Sequence, residues 1–206
     1  MDGEAAVPPG AVTKLACDDH VMQRMALALR RGRDFAGRPV HARQPPFPGG
    51  THTPLPLPGR GLAVVADEAN AEKCAKGLFQ IFVVDVRVPE NPVTISTMPV
   101  PHDRDYCVAP GTLGPHNLHE NRPGSFQSEE TIFATYNAGG VRVFDLKDQF
   151  APKELAFWLP PAPAKLIDPR PNVALAAKTA DVYVTRDGVI YTSDWNAGLH
   201  VLEYEG

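Results

Sequence analysis

An all-β fold from about residue 50 onward is what this sequence predicts, and three observations predict it. Short β-branched and aromatic runs alternate with glycine and proline breaks. An Asn-Ala-Gly turn sits at matching places in two of these stretches, at Asn137 and Asn196. The same order of strand, turn, strand, proline break and strand then returns along the chain, the mark of a repeat architecture.

The elements follow in order. Residues 17–35 (CDDHVMQRMALALRRGRDF) predict a short helix, with Asp18 or Asp19 as its cap and Met22, Met25, Ala26 and Leu29 on one face. The next stretch carries too many prolines for a helix or a central strand, so it reads as loop and edge structure. RGLAVVADE (60–68), LFQIFVVDV (78–86) and NPVTISTMPV (91–100) read as three neighbouring strands. TIFATY (131–136), VRVFDL (141–146) and KELAFWLP (153–160) repeat that pattern, and VIYTSDW (189–195) with LHVLEYEG (199–206) begins it a third time.

Each unit also has a leading segment: GTHTPLPL (50–57), GPHNLHEN (114–121) and TADVYVTR (179–186). A leading strand, two strands joined by a turn and an outer strand after a proline is the connectivity of a β-propeller blade. The expected architecture is a partial propeller of about three four-stranded blades. Residues 1–48 form a helical and proline-rich segment, and 49–206 the blades, approximately 49–100, 110–162 and 178–206. Closed propellers have roughly four to eight blades. A homo-oligomer completing the sheet ring is therefore one expectation.

Composition narrows the partners. The net charge of −4 comes from 24 acidic and 20 basic residues that are well mixed, which speaks against nucleic acid. No apolar run is long enough for a membrane helix, and the acidic start does not resemble an export signal, so a soluble, cytoplasmic protein is expected. Cys17, Cys74 and Cys107 are widely spaced and suggest neither a disulfide framework nor a zinc knuckle. No GxSxG, GxGxxG or GxxxxGK pattern occurs, so the usual serine-hydrolase and nucleotide signatures are missing.

Several long phrases carry a family likeness: GGTHTPLPLPGRGLAVVADE (49–68), FVVDVRVPENPV (82–93), GPHNLHENRPGSFQSEETIFATYNAGGVRVFDL (114–146) and DVYVTRDGVIYTSDWNAGLHVLEY (181–204). Over roughly residues 45–206 the chain resembles the bacterial LVIVD-repeat proteins. These are β-propellers distantly similar to the selenium-binding protein and methanethiol oxidase group. The resemblance implies a ring of blades with histidines near the axis, which bind copper in the methanethiol oxidase relatives. It also implies further blades before residue 49, where this sequence shows no blade pattern.

The candidate site lies on the leading segments. His52 and His116 occupy corresponding places, and Asp181 lies near the corresponding place in the third unit. Three such groups meeting at a common centre would suit a divalent transition metal, with copper, iron and zinc fitting about equally. Within HNLHEN, His116 and Glu120 share a strand face while His119 points the other way. Pairing of Glu120 with Arg122 is the plainer reading. Glu68 and Glu120 are the candidate proton-moving carboxylates, although acids at strand ends such as Asp67 and Glu68 commonly cap turns.

The expected function is thus a propeller-like scaffold that binds a small molecule or a protein partner, with a metal near the blade axis. The alternative is a metal-dependent oxidoreductase or hydrolase acting on a small molecule through axial histidines.

Overall fold

A computed structural model describes residues 50–68, 71–167 and 173–204. The helix expected over 17–35, and the segment 1–48 as a whole, lie outside the described residues. Among the described residues, ten strands form three antiparallel sheets. The first contains β1 (Gly50–Leu57), β2 (Leu62–Glu68), β3 (Ile81–Asp85) and β4 (Val93–Thr97), in that spatial order. The second contains β5 (Thr131–Thr135), β6 (Val141–Asp145) and β7 (Lys153–Trp158). The third contains β8 (Thr179–Val184), β9 (Val189–Asp194) and β10 (Gly198–Glu203). Each sheet is a meander of sequential neighbours, consistent with partial propeller-like blades.

The leading strands explain where the prolines go. β1 carries Pro54 and Pro56, which donate no ladder hydrogen bond, and β1 stands at the edge of its sheet. In the second unit the leading segment is less regular. It is held to β5 by bridges at Leu118–Ala134 and Leu113–Asn137, and by the His116 N–H donating to the Thr135 carbonyl at 2.9 Å.

Alternation along the strands sends apolar groups to both faces, so the sheets stack in sequence. Leu62, Val64 and Ala66 of β2 pack with Ile132, Ala134 and Phe144 of the second sheet. From the other face of that sheet, Phe133, Val141 and Val143 pack on Val182, Val184 and Ile190 of the third. Each such buried side chain contributes about 1.5–3 kcal/mol. On the far face of the third sheet, the cross-strand row Tyr183, Tyr191 and Val201 is exposed.

One charge inside this stack is fully paired. Arg142 is fully buried and donates to Asp103 at 2.8 Å, to the Tyr106 hydroxyl at 2.5 Å and to the Gly139 carbonyl at 2.7 Å. The turn between β5 and β6 needs left-handed backbone at Asn137 (φ 47°) and Gly140 (φ 71°). A Cβ at Gly140 would stand 2.1 Å from the Trp158 carbonyl oxygen, so only glycine fits there.

One expectation is overturned. Cys74 and Cys107 form a disulfide, which joins the β2–β3 loop to the connection between the first two sheets. Their 33-residue separation carries no recognisable spacing, and only the folding of the chain brings them together.

Candidate metal centre

His52 is placed by an irregularity in β1. Thr51 pairs with Asp67 and Thr53 with Ala66, so His52 is an extra, unpaired residue in a bulge, a device that re-aims a side chain. Gly50 pairs with Glu68, which brings the end of β2 beside the start of β1. β8 bulges at the same place, between Thr179 and Asp181, where the extra residue is Ala180.

The three leading segments are laced together at a constant step. His52 Nδ1 lies 3.0 Å from the His116 carbonyl oxygen, and His116 Nδ1 lies 2.7 Å from that of Ala180; 64 residues separate the partners in both cases. A carbonyl only accepts, so each Nδ1 carries the proton. Each Nε2 is then left with its lone pair, the state in which imidazole binds metal. A second lace runs one residue further on. The Thr53 hydroxyl donates to Asn117 Oδ1 at 3.0 Å, and Asn117 Nδ2 donates to Asp181 Oδ1 at 2.9 Å.

The rings of His52 and His116 lie 4.2 Å apart between centroids, and His116 Nε2 stands 3.7 Å from Glu68 Oε1. One ligand atom from each of His52, Glu68 and His116 lies within 4.8 Å of the other two. His52 is exposed, and Glu68 and His116 are half-buried, so the group opens to solvent. Burial holds His116 below the ordinary imidazole range; the Ala180 carbonyl and the Glu68 and Asp181 charges oppose the shift. A neutral ring is the form that ligates.

The other sequence-derived candidates stand elsewhere. Asp181 is exposed, one register place beyond the histidine step, with its Oδ1 also accepting the Val182 N–H at 2.9 Å. Glu120 is bound by Arg122 at 2.6 Å. His119 is buried and structural: its Nδ1 accepts the Val184 N–H at 3.1 Å and its Nε2 donates to the Phe126 carbonyl at 2.9 Å. His200 lies between sheets against Trp158, with ring centroids 4.9 Å apart, and His102 is exposed.

Asp67 has a character that no local pattern announces. It is 1% exposed, neither carboxylate oxygen has a hydrogen-bond partner among the described residues, and burial raises its pKa from 3.8 to about 6.

No family model, no curated protein and no solved structure matches the chain. The all-β, three-sheet architecture and the histidine–glutamate group therefore stand on the geometry alone. Among the described residues, no helix is long and apolar enough to cross a membrane.

Proposed function

We propose that this chain is a propeller-like scaffold that holds a divalent transition metal at one end of its leading strands and presents it to a small-molecule ligand. The observation that carries the reading is the meeting of His52, Glu68 and His116, with the Nδ1 of each histidine on a backbone carbonyl. Two imidazoles and a carboxylate are a donor set that zinc, iron and copper accept. Tetrahedral donors about 2.1 Å from an ion stand roughly 3.4 Å apart. The group is slightly wider than that, and rotation of the His52 and Glu68 side chains would close it.

Three protein donors leave at least one coordination position for a ligand, as open metal sites do. The reading gives Glu68 to the ion. It gives no proton-moving role to Glu120, whose carboxylate is held by Arg122, and it leaves Asp181 outside the donor set as a brace for Asn117. The likeness to the LVIVD-repeat propellers supports the same picture, with residues 49–206 as the blade region and an ion near the axis.

Elemental analysis of the purified full chain after loading with zinc, iron(II) or copper(II) tests this. One ion per chain is expected, lost in His52→Ala and in His116→Ala. No uptake by the wild type, or uptake kept in both variants, overturns it.

A further inference from the structure

The described part of the β2–β3 loop is strained. Within its Glu72–Cys74 turn, Lys73 and Cys74 both hold left-handed backbone, at φ 53° and 52°. That conformation costs a residue with a side chain about 1–2 kcal/mol. Neither residue adopts it without something to hold it there.

Three attachments do so. The disulfide ties Cys74 to Cys107, the Lys73 N–H donates to the Gly111 carbonyl at 3.4 Å, and Glu72 Oε1 accepts the Ala174 N–H at 3.3 Å. Gly111 itself packs against Ala138 of the β5–β6 turn and Ala176 before β8, each 3.0 Å from where its Cβ would be. The Glu72–Cys74 turn is therefore tied to the connections at the ends of the second and third sheets and acts as a strap. It lies at the end where β2 delivers Glu68 and β5 receives the His116 segment.

The two sides of the disulfide differ. Cys107 follows Tyr106, which is buried and fixed by Asp103 and Arg142, so that side is a firm post. Cys74 belongs to the strained strap. Cys107 is exposed and Cys74 half-buried, so small thiols can reach the sulfurs.

We propose that Cys74–Cys107 is a redox-operated clasp on the metal centre, an inference that rests on the metal reading above. Closed, it holds the strap and with it the position of Glu68 against His116; opened, it lets the strap relax and weakens the centre. Opening is a two-electron exchange with a thiol reductant. A thiolate attacks Cys107 Sγ and forms a mixed disulfide, releasing Cys74 as a thiol. A second reductant thiol then frees Cys107, the two cysteines gain two electrons and two protons, and the reductant leaves as its own disulfide. A reducing glutathione pool favours the open form, and an oxidising compartment the closed one.

The test compares the oxidised full-length wild type with the Cys74→Ser/Cys107→Ser double variant, both titrated with zinc in the absence of reductant. Zinc binding about tenfold weaker in the variant is expected, the scale of loss when support around metal ligands is removed. Faster amide exchange at Ala66–Glu68 and Lys73–Ala75, with exchange in β8–β10 unchanged, is expected alongside it. Equal affinity overturns the clasp, whatever the exchange shows. Should the wild type bind no zinc, the metal reading falls and the strap is judged on exchange alone: unchanged exchange at those residues overturns it, and faster exchange upholds it. If β8–β10 also loosens in the variant, wild type reduced with dithiothreitol and desalted before titration takes its place under the same criteria.

Discussion

Asp67 and Asp194 hold the same place in the first and third sheets. Thr51 pairs with Asp67 as Thr179 pairs with Asp194, each beside a bulge in the leading strand. Asp194 closes a turn: its carboxylate accepts from the N–H groups of Lys178 at 2.7 Å, Asn196 at 2.8 Å and Ala197 at 2.9 Å, and from the Thr179 hydroxyl at 3.3 Å. Asp67 accepts no hydrogen bond among the described residues and is also buried. In the third sheet the acid serves the fold. In the first, the strand end opens into the strap loop and carries Glu68 to the candidate centre, so the unmet cost of a buried carboxylate falls at the end of the molecule where function is proposed.

Arg142 extends the contrast, since it is a buried charge with every partner in place. Arg142→Ala leaves Asp103 and Glu154 facing one another without their cation and is expected to cost about 3–5 kcal/mol in urea unfolding. A loss below about 1 kcal/mol would show that pairing does not set the value of buried charge here.

Asp67 gives the next largest effect, in metal-free protein. Its folded pKa is raised from 3.8 to about 6, so between those values the folded state binds more protons than the unfolded state. Stability therefore falls as pH rises through that window. The penalty is absent below about pH 4 and complete above about pH 6, where it reaches roughly 3 kcal/mol. Asp67→Asn is expected to lack this falling limb, so that its stability relative to the wild type rises by roughly 3 kcal/mol from pH 4 to above pH 6, measured by urea unfolding from pH 4 to 7. A constant difference across that range would mean that Asp67 has an acceptor-bound proton or counter-charge in both states.

Asp194→Ala is expected to cost about 2 kcal/mol, by stripping buried turn donors of their acceptor. Equal effects of Ala at positions 67 and 194 would dissolve the distinction between them. The smallest effect belongs to Glu120→Gln, which removes a local ion pair with Arg122 and is expected to change stability by less than about 1 kcal/mol. It should leave zinc affinity unchanged.

Much of the fold was legible because its signals are local. Strand runs, proline breaks and the Asn-Ala-Gly turns lie within a few residues of one another, and the step from His52 to His116 matches the 64-residue spacing of the leading segments. What was not legible turns on single-residue offsets. Asp181 lies one residue beyond the place that matches His116, which is held by Ala180, and one place along a strand exchanges faces.

The same offset separates Tyr136 from Trp195, which look equivalent in front of their turns. Tyr136 donates to Gly140 across its turn at 2.8 Å, the place Asp194 takes opposite Gly198, so Trp195 stands one position further. Tyr136 is accordingly 0% exposed and Trp195 51%. Nothing in composition or periodicity marks these shifts. The Cys74–Cys107 bond was hidden for a related reason, since its partners meet only through the packing of distant loops.

X-ray absorption on zinc-loaded full-length protein asks most directly whether side chains from two successive repeats share one ion. The wild-type spectrum should show two imidazoles with oxygen donors, a shell that His52→Ala and His116→Ala each abolish. A zinc shell without imidazole, or one that neither His52→Ala nor His116→Ala alters, would mean that the leading strands do not build the centre described.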